Sequence, residues 1–323
     1  MQDKKIFVTS GCPYSNGQNT EVIDLKVPTF DCKLPPYPIE MSNGAGGVIK
    51  GNKILICGGF NGTQIGDCYS LGQNKTWTKT ESLQTPRSAM STGNVVVNGS
   101  VWISGGYNGS YLNSNLWMNE QSATTESTNL PLAGNPHCSV LVRENQIMII
   151  GGRSGESRRK THFLNLDKHQ WSSGPMLNRA RALYNCAKVE IGGSNFIFVA
   201  GGWNYWVEYL NIDDINGTWK NGDETNISKV LKQSVSCLFL ILGIDLATGL
   251  DDHRMVTSED GKELFIIGGS RRRHVRNQVL KLHCEGTDPA TCSFKEIETK
   301  LKFAREEHIA LPISDSFARQ LCT

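Results

Sequence analysis

Paired glycines follow short aliphatic runs five times along this chain of 323 residues. The runs with their glycines cover residues 54–59, 101–106, 147–152, 196–202 and 264–269, and a weaker copy with one glycine covers residues 7–11. Successive first glycines lie 47, 46, 50 and 67 residues apart. A period in this range is typical of β-repeats that bury their apolar faces by packing against one another. The sequence therefore predicts an all-β repeat architecture.

A second strand pattern follows each glycine pair after a polar gap, and in three repeats a tryptophan comes next. Trp77, Trp171 and Trp219 stand 18, 19 and 17 residues after the second glycine of their repeats. Segments 85–87 and 177–179 then end on arginine. One indole ring buries about 150–250 Å², which suits a wide gap between twisted sheets.

This order of strand, Gly-Gly, strand with an aromatic residue, tryptophan and arginine resembles the kelch repeat over nearly the whole chain. The resemblance implies a six-bladed β-propeller built from four-stranded antiparallel blades. Three copies depart from the pattern. The first lacks both the glycine pair and the tryptophan, the third has only Trp117, which we assign to a strand, and the sixth has Phe294 instead. The long interval before the sixth copy contains an apolar run, residues 238–244, which fits a buried strand, a hydrophobic loop or a sequence error.

We predict a single domain, residues 1–323, closed by pairing of a C-terminal strand with the N-terminal blade. The first blade begins at its second strand, near Ile6, and residues 308–313 are expected to supply the missing innermost strand. The predicted blades are 5–38 with 308–314, 44–86, 90–131, 137–178, 182–230 and 253–304.

Composition excludes two classes of function. A net charge of +2 provides no broad cationic surface, so a dedicated nucleic-acid-binding protein is not expected. The longest apolar stretch, residues 237–244, is far shorter than the roughly 20 residues of a membrane-spanning helix. No segment of signal-peptide type precedes the first strand, so either the protein stays in the cytoplasm or this copy has lost its leader.

The cysteines bear on that choice. None of the ten has the close spacing of a zinc site, and two pairs flank predicted hairpins, Cys57 with Cys68 and Cys284 with Cys292. Cys12, Cys32 and Cys322 fall on or beside the closing blade. Buried reduced thiols remain the alternative.

Six Asn-x-Ser/Thr sequences, a mild excess over chance, lie in predicted turns, at Asn61, Asn74, Asn98, Asn108, Asn216 and Asn226. With the cysteine pairs they favour a secreted, disulfide-bonded glycoprotein over a cytoplasmic protein. In these features the chain resembles secreted kelch proteins of arthropods.

The resemblance also implies where a ligand binds. In a propeller, the loops after the second strands and between blades gather on one face, which in the kelch family commonly binds other proteins. The candidate binding residues on it are Phe60, Tyr107, Arg153, Trp203, Tyr205, Trp206, Arg271, Arg272 and Arg273. Aromatic residues and arginines are enriched at binding hot spots. The alternative interpretation is structural: a loop tryptophan can cover the end of a blade, and a short basic run can form a solvated turn. We expect a monomer that binds a protein or glycan without catalysis or a cofactor.

Two other functions remain open. Galactose oxidase shares the fold, but no stretch here matches its copper ligands, and the seven histidines lack metal-site spacing. An intracellular kelch scaffold, serving as a ubiquitin-ligase substrate receptor or an actin-binding protein, would instead keep its cysteines reduced.

Overall fold

A computed structural model describes residues 4–12, 17–90, 93–131, 137–152, 158–202, 206–214, 217–222, 250–271 and 274–322. In these residues the chain forms six small antiparallel sheets arranged in a ring, which is a six-bladed β-propeller. The predicted fold is confirmed. The apolar run at 238–244 lies outside the described residues.

The strands follow one another around the ring in chain order. The first half contains β1 (Lys5–Thr9), β2 (Thr20–Asp24), β3 (Ala45–Ile49), β4 (Lys53–Cys57), β5 (Cys68–Leu71), β6 (Trp77–Lys79), β7 (Val96–Val97), β8 (Ser100–Ser104), β9 (Asn115–Met118), β10 (Ala123–Thr125), β11 (Cys138–Arg143), β12 (Gln146–Ile150), β13 (Thr161–Asn165) and β14 (Gln170–Ser173). The second half contains β15 (Tyr184–Ile191), β16 (Ser194–Gly201), β17 (Val207–Asn211), β18 (Lys220–Asn221), β19 (Arg254–Thr257), β20 (Leu264–Ile267), β21 (Ser270–Arg271), β22 (His274–Val275), β23 (Gln278–His283), β24 (Ser293–Lys300) and β25 (Ile309–Ile313).

Blades 2 to 5 each take four consecutive strands, β3–β6, β7–β10, β11–β14 and β15–β18. Blade 6 has the order β19-β20-β23-β24, and the short hairpin β21–β22 extends from it. Blade 1 has the order β2-β1-β25, so it contains three strands where four were predicted. A 3₁₀ turn at Pro289–Thr291 lies between β23 and β24.

The ring closes in blade 1. Strand β25 pairs antiparallel with β1, with Phe7 opposite Leu311, as the sequence predicts. The helix α1 (Asp315–Cys322) follows, and its buried Phe317, Ala318 and Leu321 pack into the core between blades 1 and 2. The Cys32–Cys322 disulfide then ties the helix to the segment after β2. Hydrogen bonds and a covalent bond therefore both join the two ends of the described chain.

Apolar side chains fill every gap between neighbouring blades. The described residues form six buried clusters, one at each of the six blade interfaces. The repeat tryptophans point into the gap between their own blade and the preceding blade. Trp77 of blade 2 lies edge-on to Tyr37, with ring centroids 4.9 Å apart, and Trp219 of blade 5 donates its indole N–H to the Pro175 carbonyl of blade 4 at 2.9 Å. Blades 2, 4 and 5 therefore each contribute a tryptophan ring to the interface with the blade before them.

Candidate functional site

The glycine pairs lie where each blade touches two inter-blade loops at once. In blade 2, Gly58 and Gly59 have φ of +65° and +117°, which side chains disfavour. A Cβ on Gly58 would lie 2.7 Å from the Arg87 carbonyl oxygen in the following loop, and one on Gly59 would lie 2.8 Å from the Ser42 carbonyl oxygen in the preceding loop. Both glycines are therefore needed for close packing, and they fix where the next loop leaves the blade.

Blade 1 uses a different residue at the first of these positions. Ser10 adopts the left-handed conformation there, with φ of +63°, and Gly11 follows it. A Cβ on Gly11 would lie 2.6 Å from the Glu306 carbonyl oxygen, as at the second glycine of the other repeats. The single-glycine copy at residues 7–11 is therefore a true repeat of the pattern.

In blades 1, 2, 3 and 6, the residue after the glycines is held by an inter-blade loop. Phe60 exchanges two backbone hydrogen bonds with Ser42, of 2.9 and 3.0 Å, and Tyr107 exchanges two with Ser88, of 2.9 and 3.2 Å. The same bridges join Ser270 to Asp251 and Cys12 to Glu306. All of these loops therefore meet at one end of the ring, which we call the loop face. Its described segments are 10–12, 42–43, 58–64, 87–89, 105–111, 179–183, 201–202, 206, 250–252, 268–271, 274–276 and 305–307.

A ring of backbone hydrogen bonds surrounds the axis on this face. One left-handed residue from each described inter-blade loop takes part, and four of these five residues donate their N–H to the carbonyl of the counterpart in a neighbouring loop. The residues and their φ angles are Asn43 (57°), Ala89 (49°), Leu183 (58°), Asp252 (53°) and Glu307 (53°). The bonds run from Ala89 to Asn43, Asn43 to Glu307, Glu307 to Asp252 and Asp252 to Leu183, at 2.9 to 3.3 Å. The loop before blade 4 lies outside the described residues.

Buried arginines anchor the loop face in alternate blades. Arg87, Arg181 and Arg305 each reach from an inter-blade loop to backbone carbonyls of the next blade. Arg181 and Arg305 also pair with Glu208 and Glu21, whose carboxylates lie in the third strands of those blades. Arg87 has no carboxylate partner in the described part of the chain, and burial lowers its pKa to about 10. These arginines are committed to the scaffold and do not face a ligand.

Arg179, the residue that ends the predicted segment 177–179, has a different position. Its guanidinium lies 4.4 Å from the ring centroid of Trp206, while Arg181, two residues later, makes the buried contacts. The backbone N–H groups of Asn178 and Arg179 donate to the Glu208 carboxylate, which holds this loop against blade 5. Trp206 is half-buried and Arg179 stacks on it, a pairing that is common at binding hot spots.

The predicted site residues divide into two groups. Phe60 and Tyr107 are half-buried on the loop face, each at the start of a small turn, and Tyr107 contacts Tyr111 with ring centroids 5.5 Å apart. Arg271 ends β21, so its backbone also belongs to this face. Arg153, Trp203, Tyr205, Arg272 and Arg273 lie outside the described residues. The structure therefore brings Phe60, Tyr107, Trp206 and the Arg271 backbone to one end of the ring.

An acidic sector beside the axis was not predicted from the sequence. It is formed by Asp251, Asp252, Glu306 and Glu307, in the two adjacent loops before blade 6 and before β25. Burial, together with the neighbouring carboxylates, raises the pKa of Asp252 to about 8. A signal was present, because an acid-acid-His triplet occurs at 251–253 and again at 306–308, but it falls outside the glycine pattern.

Two groups next to this sector have little reactivity. The Cys12 thiol donates to Glu307 Oε2 at 3.4 Å, and burial beside that carboxylate raises the thiol pKa to about 12, so it stays protonated at neutral pH. His253 and His308 are fully buried, and burial lowers both pKa values, that of His253 to about 3. Within the described part of the chain, no three His, Cys, Asp or Glu side chains are placed to hold a metal ion.

Four cysteine pairs are disulfide-bonded in the described residues. Cys57–Cys68 and Cys284–Cys292 are the two predicted hairpin pairs, with Cα atoms 4.1 and 3.9 Å apart. Cys32–Cys322 closes blade 1, and Cys138–Cys186, which the sequence did not predict, joins the innermost strands of blades 4 and 5. These pairs indicate an oxidising environment. No helix among the described residues is long and apolar enough to span a membrane.

Comparison with known proteins supports the fold. No family model matches the sequence, and no curated protein matches it either. Among solved structures, the chain is similar to YjhT, a propeller, with a TM-score of 0.61 and 16% sequence identity over 85% of this chain and 88% of that chain. At this level of identity the similarity shows a shared architecture and nothing about activity.

Proposed function

We propose that this chain is an extracellular, kelch-type propeller that binds a protein or glycan ligand on its loop face as a monomer and without catalysis. The observation that carries the proposal is the aromatic and arginine content of that face, above all the Arg179–Trp206 stack beside blade 5. Phe60 and Tyr107 add two half-buried rings on loops that are rigidly rooted through backbone bridges. Rigid, partly exposed aromatic groups lose little conformational entropy on binding.

The kelch assignment is supported by what each repeated residue does. The glycine pair packs between two loops, the tryptophan fills the gap towards the preceding blade, and the arginine at 87, 181 and 305 reaches into the next blade. These are three different packing tasks, and they explain why the pattern recurs in this order.

The extracellular assignment is supported by the cysteines and the sequons. Four disulfides would be unusual in a reducing cytosol. Asn61, Asn74, Asn98 and Asn108 are exposed. Asn74 and Asn98 lie in the turns between β5 and β6 and between β7 and β8, at the end opposite the loop face, so glycans attached there leave the proposed binding surface free. Mass measurement of protein from its native source, with and without reduction, tests this assignment: ten free thiols and unmodified asparagines would favour the intracellular scaffold instead.

The binding experiment compares variants of the full chain on an array of immobilised glycans and a panel of purified secreted proteins. Phe60→Ala with Tyr107→Ala should weaken capture, and so should Trp206→Ala. Glu144→Ala with Lys168→Ala alters the opposite end of the ring and should leave capture unchanged. Equal capture by all variants would contradict the assignment of the loop face, and stoichiometric copper in the purified protein would favour the oxidase.

A further inference from the structure

The outer edge of blade 1 differs from that of every other blade. Blades 2 to 6 have four strands, whereas blade 1 ends at β2 and no described strand pairs with its outer side. The segment after it, residues 27–34, runs along this edge without joining the sheet, and we call it the strap. Cys32 within the strap is bonded to Cys322 of α1, so the strap is fixed in place.

The open edge of β2 presents backbone hydrogen-bonding groups. Antiparallel pairs alternate between residues that bond to the partner strand and residues whose N–H and C=O point away from it. The Leu25 N–H donates to the Lys4 carbonyl, so Ile23 and Glu21 face β1 while Val22 and Thr20 direct their backbone groups outwards. These groups are oriented to accept one more strand.

A groove of about 700 Å³ lies along this edge. Its walls are β2, the strap and residues 299–303 of blade 6, and Phe30, Leu34 and Phe303 give it apolar surface. The strap covers β2, of which Val22 is only 3% exposed. A partner would therefore have to reach β2 along the groove as a single extended peptide, because the strap blocks the edge of a second, intact sheet.

The charges of the groove favour an acidic occupant. Its carboxylates Glu21 and Asp24 are already neutralised by Arg305 and Lys5. Lys33 and Lys302 are exposed and have no salt bridge in the described residues, and Lys300 has only a 3.7 Å contact with Glu296. Asp31 is the one remaining carboxylate of the lining. The lysines therefore exceed the uncompensated acids.

We propose that this groove binds an extended acidic segment of a partner protein, which pairs with β2 as the fourth strand of blade 1. Strand addition of this kind takes its affinity from main-chain hydrogen bonds and its specificity from alternate side chains. One face of the added strand would contact Phe30 and Phe303, and acidic residues on it would approach the three lysines. The site is separate from the loop face and does not depend on the function proposed for that face.

The test uses a displayed library of random short peptides selected against the full chain. The selected peptides are expected to alternate apolar and acidic residues. They should bind about tenfold more weakly to the Lys33→Ala/Lys300→Ala/Lys302→Ala variant, because three exposed charge pairs are lost. A matched variant, Lys75→Ala/Lys168→Ala/Lys262→Ala, should bind like the wild type. N-methylation of every second peptide amide should abolish binding when the methylated amides are those that face β2. Methylation of the other set should leave binding unchanged. Bound peptide should protect the amides of Thr20 and Val22 from hydrogen exchange.

Three results would overturn the proposal. The first is a selection that yields no peptide dependent on the three lysines. The second is a winning peptide that protects the loop face and leaves β2 unchanged. The third is a concentration-dependent dimer, detected by sedimentation, that disappears in the triple variant of the groove, since a second copy of this chain would then be the occupant.

Discussion

Arg181 and Glu208 form an ion pair inside blade 5, with the guanidinium 2.5 Å from the carboxylate and both side chains fully buried. Removing one partner of such a pair leaves a buried charge without compensation. Arg181→Met should therefore lower the free energy of unfolding by about 3–5 kcal/mol, as measured by urea denaturation. Adding Glu208→Gln should recover part of this loss.

Arg87 provides a matched comparison for that experiment. It occupies the equivalent position two repeats earlier, but it donates to the carbonyls of Gly105 and Ser114 and has no acidic partner among the described residues. Arg87→Met should therefore cost only about 1–3 kcal/mol, the cost of leaving carbonyls unsatisfied. Equal losses for the two arginines would show that the carboxylate is unimportant.

The two kinds of disulfide should contribute differently to stability. Cys32–Cys322 closes a loop with a sequence separation of 290 residues, whereas Cys284–Cys292 spans 8. The chain-entropy relation assigns them about 5.7 and about 2.5 kcal/mol. Cys32→Ser with Cys322→Ser should therefore reduce the midpoint of thermal unfolding more than Cys284→Ser with Cys292→Ser. The opposite order would show that blade 1 stays closed through β25 alone.

The first glycine of a pair should tolerate alanine less well than a glycine in an open turn. Gly58→Ala combines a positive φ with a Cβ only 2.7 Å from the Arg87 carbonyl oxygen. Gly62 also has a positive φ, but nothing lies within 4 Å of a Cβ placed there. Gly62→Ala should cost about 1 kcal/mol of folding free energy and Gly58→Ala several times more. Similar values from denaturant titration would contradict the packing role of the pair.

Stability should fall as pH rises through the titration of Asp252. Its pKa is about 8 in the folded protein and lies near 3.8 without the fold, so the folded state holds a proton that the unfolded state has lost. The stabilisation is therefore complete below about pH 4 and is lost as pH approaches 8. Because the side chain is only half-buried, we expect a fall of about 1–2 kcal/mol.

Two variants check this pH dependence. Asp252→Asn should flatten the curve of unfolding free energy against pH. Glu307→Gln should shift the fall to lower pH, because one of the carboxylates that raise the pKa is removed. A curve that is the same for wild type and Asp252→Asn would exclude this group as its source.

The ring, its closure and two disulfides could be predicted from the sequence because each depends on a local repeating signal. Cys57 and Cys68, for example, flank one glycine pair and lie opposite each other on adjacent strands. Cys138 and Cys186 carry no such signal, since they lie 48 residues apart in different blades and meet only when the blades pack. A contact between residues of two neighbouring blades is not visible in the spacing of residues along the chain.

The candidate site was predictable only in part. Phe60 and Tyr107 follow glycine pairs and could be placed on the loop face from that fact. Arg179 and Arg181 lie in an irregular segment, where no periodicity indicates which of them turns inwards. The acidic sector depends on two loops that become neighbours at the axis, and the groove of blade 1 depends on a strand that is missing from the pattern.

The sharing of blade 1 between β1 and β25 has a consequence for biosynthesis. Strand β1 leaves the ribosome long before its partner β25, while blades 2 to 6 can each form from a contiguous stretch of nascent chain. Until β25 is synthesised the ring cannot close, and the apolar faces of blades 1 and 6 that will pack together stay exposed to chaperones. Only the emergence of residues 309–313 lets the circle shut.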